Sequence, residues 1–556
     1  MRNDVEKQMQ KKITEVLGNR TQIVIKAVFG LLYALFIVLG DWDKALEQSG
    51  IRVLGRIVGW WLAAFLVLTG LFWLLDKWNV RKNTEAAREK RQRRVQARAG
   101  KKYVYGILAL VCFLGWLPYF LLYFPGWISN DSVWQLEQVC GWVAGSNHHP
   151  YFHTMIIKCF FMLGFRIFGT YTGAVAAFTL AQMVIIAAVY GLVLYDFYRK
   201  GVNWGILALG LMFYGFLPMN GLYAICMGKD VLFAAALTLY VREIYRFLAG
   251  RKDTMRSYLG ISVTGFLVCV LRSNGILVFA GTALFAVIAG VIHKNWKKIL
   301  LSTVIVLGCY LIYHGPVLNA LQVEQPDTIE GLTMPTQHIL SAYLNGGTIT
   351  GEELEWLNYV MPMENTAAYY NPYYFDIIKN EIRAEGNQEV IAANKWQYFK
   401  IWLAVGLRNP KQYLDAEIRQ TYGYWCFDIN EPIYEQYRMA ENPFGLTTER
   451  KVFSYDFGLW ADDFLLKFED FYNKVWSLGL TTWLMLACMA YGMYRKKSVL
   501  PYLPYVMLFL SLLLATPVCS EFRYTYGIFM GLPLLVGMTF LTEEKGQNRK
   551  QEQEAV

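Results

Sequence analysis

Charge is scarce in this chain. Asp, Glu, Lys and Arg make up 17% of its 556 residues, against about 25% in soluble domains. Such a composition excludes an ordinary water-soluble globule. Cysteine occurs nine times, but never as Cys-x-x-Cys or with zinc-ligand spacing, so neither a disulfide framework nor a metal ribbon is indicated. There is no Walker loop, no Gly-x-Ser-x-Gly and no dinucleotide fingerprint in a strand–helix setting, which leaves a soluble nucleotide donor without support. Internal repeats are absent, and the only biased stretch is a basic loop over 81–102. A cleavable signal peptide is not expected either, since Met1 to Arg20 is polar and the first apolar run begins near Ile23.

What is present is apolar. Hydrophobic residues are 55%, aromatic residues 16%, and the mean hydropathy is +0.27. Long, nearly charge-free runs predict an all-α polytopic membrane protein. Twelve spans are expected, at 22–40, 57–75, 104–124, 172–195, 203–218, 230–248, 257–271, 275–292, 299–318, 476–494, 499–516 and 524–541. The net charge of +10 does not imply nucleic acid, because the basic residues sit in short blocks between apolar runs. With the amino terminus inside, the blocks at 81–102, 198–200, 250–256, 293–298, 494–497 and the carboxyl-terminal tail all fall in the cytoplasm. Counting 151–169 as a further span would put three of these blocks outside. It is therefore read as an interfacial amphipathic helix with Lys158 and Arg166 on its polar side. The short runs 203–218 and 257–271 leave open whether they span fully.

Four regions follow. Residues 1–103 hold two spans and the basic loop, 104–319 a transmembrane core with an outer loop at 125–171, 320–475 an extracytoplasmic helical domain, and 476–556 three spans and a tail. The third region has 23 acids against 12 basic residues, a net of −11. Helical patterns over 351–361, 371–386, 389–410 and 411–425 organise it.

The middles of the spans carry essentially no ionisable groups, which argues against an ion-coupled transporter. The charges gather at outer ends instead: Asp131, Lys229, Asp230, Arg272, Glu521 and Arg523, with five of the six histidines on the same side. A site at the membrane rim suits a lipid-linked substrate. Asp131 in "FPGWISNDSVWQ" has two compatible readings. It can be a helix N-cap, with Ser132 and Gln135 as an alternative capping box, or a general base for an attacking hydroxyl. Lys229 opens a span, where the helix dipole disfavours a cation, which suggests an anionic ligand. Arg272 and Arg523 suit phosphate, or an ion pair such as Arg523 with Glu521 or Asp230. In "SNHHPYFHT", Pro150 suits a first helical turn, so His149 and His153, four apart, are expected on one face. With His148 they suit hydrogen bonding to sugar or phosphate, or plain packing. Zinc needs three or four ligands, and no convincing set presents itself.

In this order, "PGWISNDSVWQLEQ", "NHHPYFHT", "GKD", "LRSNG" and "EFRYTYGIFMGLP" resemble a bacterial multi-pass branch of the GT-C superfamily of integral-membrane glycosyltransferases, over about residues 104–541. "MPTQHILSAYLNGG" and "NPKQYLDAEIRQTYGYW" carry the likeness into the third region. The resemblance implies transfer of a sugar from a polyprenyl-phosphate donor to a lipid or glycan hydroxyl acceptor on the outer face of the bacterial plasma membrane. Asp131 matches the essential acid of the first core loop, and Lys229, Arg272 and Arg523 match basic residues that hold the donor phosphate. His148, His149, His153, Asp230 and Glu521 are then candidate substrate contacts. Members with paired acids in that loop bind a divalent cation. Here Ser132 and Val133 follow Asp131, which puts a Mg²⁺ or Mn²⁺ site in doubt. Two other classes stay open: a flippase of lipid-linked glycans, and a non-enzymatic membrane scaffold or sensor.

Overall fold

The computed structural model describes residues 16–82, 84–250, 254–292, 294, 296–427, 439–450 and 452–541. The carboxyl-terminal tail and parts of the basic blocks at 250–256 and 293–298 lie outside the described residues. The described chain is helical, with isolated bridges and no strand. Eight helices are long and apolar enough to cross a membrane, and up to ten if each of two bent helix pairs is one span. The protein is thus an all-helical polytopic membrane protein.

Each of the twelve expected segments is helical, but several are short or broken. The run expected at 203–218 is helix Trp204–Leu211 continued by a π turn over Met212–Phe216, then a second helix Pro218–Ile225 bent by 45° from the first. Pro218 lacks the N–H that would continue the first helix, and Leu217 is extended instead. Side chains satisfy carbonyls loosened by the break. Trp116 Nε1 donates to Tyr214 O (2.9 Å) and Asn220 Nδ2 to Phe213 O (2.7 Å). The turn presses on helix Tyr103–Leu122 at Gly115, where a Cβ would lie 2.2 Å from Gly215 O.

Helix Tyr171–Arg199 packs against Tyr103–Leu122 in the opposite sense, with Gly191 beside Ala109 and Thr179 beside Gly126. The apolar helix Tyr151–Phe168 is also long and apolar enough to cross. Both its ends nevertheless meet one end of the bundle. His153 packs on Phe178, Phe152 on Phe266 and Tyr313, and Phe165 on Tyr171. It lies across that end, with Lys158 and Arg166 exposed.

The region 320–475 has two parts. Ile339, Leu357, Ile378, Ile382, Ile401 and Val405 centre a compact helical core of its own. Its carboxyl-terminal part joins the main bundle instead, through Ile418, Tyr424, Trp425 and the helix Tyr455–Val475. The helical pattern expected over 389–410 is two helices, Gln388–Ala393 and Lys395–Arg408, parted at Asn394. No disulfide joins cysteines among the described residues.

Candidate active site

Two extended segments build the site. After helix Tyr103–Leu122, residues Phe124–Ser129 run beside Ile225–Gly228 in a parallel bridge. Trp127 N donates to Ile225 O (2.9 Å) and Met227 N to Trp127 O (2.8 Å). The peptide bond Phe124–Pro125 is cis, and Gly126 has φ +122. A Cβ on Gly126 would lie 2.5 Å from Thr179 Oγ1 and 2.9 Å from Ile225 O. Gly126→Ala is therefore expected to cost about 3 kcal/mol, from positive-φ strain and overpacking together, read as earlier thermal unfolding in detergent. An unchanged midpoint would show that this pairing does not fix the site.

The pairing starts two helices side by side. Asn130–Cys140 begins with Asp131 in its first turn, and Lys229–Gly250 begins at Lys229. A third, Phe522–Leu541, brings Arg523 in its own first turn. Lys229 Nζ donates to Asp131 Oδ2 (2.7 Å), and Arg523 Nη1 donates to the same oxygen (2.9 Å). Glu521, buried, pairs with Arg523 on its other side. Asp131, Lys229 and Arg523 line a small cavity together with Ser129, Gln135 and Tyr223. Lys229 at a helix start opposes its own dipole; the Asp131 carboxylate compensates it.

Capping differs from expectation. Ser129 holds the N-cap position of helix Asn130–Cys140, without a side-chain cap bond, and Asp131 lies inside the first turn. The box of Ser132 with Gln135 does not form, because both side chains have other partners. Ser132 donates to Met227 O, which ties the two extended segments together. Gln135 accepts from His153 Nδ1 (3.1 Å) and donates to Thr154 Oγ1 (2.8 Å). Asp131 is thus spared capping work, and its free energy of placement comes from the two cations and the dipole of its own helix.

The histidines separate. Helix Tyr151–Phe168 starts after Pro150, so His149 precedes it and does not share a face with His153. His149 Nδ1 lies 3.2 Å from Lys229 Nζ and 3.8 Å from Asp131 Oδ2. An ammonium only donates, so Nδ1 accepts and the ring hydrogen sits on Nε2. His153 is fully buried behind the site against Gln135. His148 faces away, 3.5 Å from Glu330 of the 320–475 region. That region reaches the rim a second time where Tyr373–Phe375 runs beside Pro517–Cys519, just before Glu521.

Arg272 and Asp230 form a buried pair at 3.2 Å, with side chains 7% and 5% exposed. The Arg272 guanidinium also lies over the Tyr524 ring, 4.7 Å from its centroid. Asp230 edges the cavity, whereas Arg272 stands behind it. Of the expected phosphate contacts, Lys229 and Arg523 thus meet at Asp131 and Arg272 supports from the rear. Among the described residues, no group of three or more His, Cys, Asp and Glu side chains is placed to hold a metal ion.

Burial alone would push the Asp131 carboxyl up. Lys229 and Arg523 outweigh it and hold the group well below the usual carboxylate range. Burial, reinforced by Lys229, keeps the His149 imidazole well below its usual value and therefore neutral. Burial pushes the Glu521 carboxyl up, with Arg523 opposing. The cavity thus carries the Asp131 carboxylate with two cations bound to it, the Asp230 carboxylate at its edge and the neutral His149 imidazole beside Lys229, at the meeting point of three helix starts. Such an arrangement can hold an oxyanion and accept a proton.

Residues given no binding or catalytic role from the sequence complete the walls: Ser129, Gln135, Tyr223 and Gly228. The signal for Tyr223 and Gly228 was the break after Pro218, since an interrupted apolar run exposes backbone and side chains to a cavity. No curated protein and no solved structure matches the chain. A family match covers residues 144–554, about three quarters of the chain; it contains Lys229, Arg523 and the histidines, and begins after Asp131. By that match the chain belongs to a family of unknown function, DUF6020.

Proposed function

We propose that the protein is a membrane glycosyltransferase of GT-C type, moving a sugar from a polyprenyl-phosphate donor to a hydroxyl of a lipid or glycan acceptor. The observation that carries this reading is the meeting of Asp131, Lys229 and Arg523 around one oxygen in one cavity. In this reading twelve helices cross the plasma membrane, both termini are cytoplasmic and the cavity opens outside. The basic blocks between the apolar segments support that topology.

The acceptor oxygen attacks the anomeric carbon of the donor sugar. The bond from that carbon to the phosphate oxygen breaks, and the polyprenyl phosphate leaves with the electron pair. Lys229 and Arg523 stabilise the departing anion, and the acceptor proton passes to Asp131. A carboxylate gripped by two cations is a weak base. The donor phosphate competes for the same two cations, so its arrival loosens their hold on Asp131 and restores its proton affinity. His149, neutral and in contact with both partners, is placed to orient the acceptor.

The test uses the purified protein in liposomes with a sugar-labelled polyprenyl phosphate and candidate acceptors. The expected product carries the label in a new glycosidic bond. Label that stays on the polyprenyl phosphate and only changes leaflet would make the protein a flippase. Label that does neither would leave a scaffold or sensor.

A further inference from the structure

Helix Lys395–Arg408 stands apart from the region around it. Its fourteen residues hold Lys395, Lys400 and Arg408 and no acid, inside a region of net charge −11. Tyr398, Ile401 and Val405 are buried in the core of the 320–475 region. On the opposite side Trp396 (65% exposed), Phe399, Leu403 and Leu407 (76%) form an apolar stripe. Their spacing of three and four residues keeps them on one face over the helix's full length. The stripe is not part of the domain core.

The position of the helix says what the stripe faces. The next helix, Pro410–Thr421, follows after Asn409 and is bound to the end of the first apolar helix. Trp42 Nε1 donates to Asp415 (2.9 Å), and Arg419 pairs with Asp43. Asp41 caps off helix Arg20–Gly40, so Asp415 and Arg419 sit where that helix leaves the apolar layer. Leu414 is exposed on helix Pro410–Thr421 as well. Trp and Phe beside Leu, flanked by lysines and free of acids, is the composition of a helix lying in a headgroup layer.

We propose that the Trp396–Leu407 face is a membrane anchor. It rests in the bilayer surface at the site's end of the bundle, with its lysines toward anionic headgroups. Arg408 is engaged by Glu353 within the domain, which leaves Lys395 and Lys400 for lipid. Anchored there, the helical domain is held at a fixed height over the cavity, where Glu330 meets His148. The inference does not depend on what reaction the cavity performs.

The full-length protein is placed in nanodiscs of phosphatidylcholine, alone and with phosphatidylglycerol, doped with a phospholipid bearing a diazirine in its acyl chain. After irradiation the adducts are mapped by mass spectrometry. Adducts on the 395–411 segment, enriched by phosphatidylglycerol, are expected. A Leu403→Glu, Leu407→Glu variant is expected to lose them while keeping labelling of the spanning helices and its thermal midpoint. Adducts confined to the spanning helices, or unchanged yield in the variant, would each overturn the proposal. Labelling of the unaltered protein decides the matter if the variant fails to fold.

Discussion

Asp131→Asn is expected to lower sugar transfer by about 10²–10⁴-fold, the usual contribution of a positioned base. Asn keeps the size of the side chain and an acceptor oxygen for Lys229. It removes the charge and the proton affinity. Two effects on the cations follow, and they separate base from scaffold. Without the carboxylate, Lys229 and Arg523 hold a free phosphate group more tightly, so donor binding is expected to persist or strengthen while turnover collapses. Stability carries its own signature. A carboxyl whose folded pKa is depressed stabilises the protein above its unfolded value of about 3.9, and that gain is lost as pH falls through the folded value. The gap in thermal midpoint between wild type and variant should therefore be full at neutral pH and close in strong acid. Undiminished transfer by a folded Asn variant would remove Asp131 from the reaction.

How far the sequence revealed this site depends on which residues are considered. The membrane class and the position of the spanning helices follow from apolar runs, since the bilayer leaves few choices. The gathering of charge at one rim was legible for the same reason: an ion in an apolar layer is costly, so its appearance near a span end carries information. The pair of Arg523 with Glu521, two residues apart, was legible and forms; the partners of Asp131 were not. Asp131 to Arg523 is a contact across most of the chain, and nothing local distinguishes Arg523 from Arg272, which turns to Asp230 instead. Local rules also misled where tertiary contacts won. Ser132 and Gln135 have capping-box spacing, yet Met227 O and His153 claim them. His149 and His153 have helical spacing, yet Pro150 starts the helix between them and turns His149 toward Lys229. The 320–475 region read as one domain by its charge, but its core ends near Val405 and the rest packs on the bundle.

Arg523→Ala is expected to abolish transfer and also to cost about 3 kcal/mol of stability at neutral pH, as breaking a buried ion pair does. The structural cost comes from Glu521 rather than Asp131. Asp131 retains Lys229, whereas the buried Glu521 carboxylate loses the cation that offsets its burial. Burial already pushes this carboxyl up, and Arg523 opposes that push; removing Arg523 raises it further. The sign is then opposite to that of Asp131. A carboxyl whose folded pKa lies above its unfolded value destabilises the protein when ionised, and the penalty is relieved as pH falls through the folded value. The variant's deficit in thermal midpoint should consequently shrink on mild acidification, over a range where the Asp131 contribution is still intact. Adding Glu521→Gln should restore the midpoint at neutral pH without restoring transfer, because the guanidinium that neutralises the leaving phosphate is still missing. Recovery of transfer in the double variant would mean that Arg523 serves only to hold Glu521, and the leaving-group role would pass to Lys229 alone.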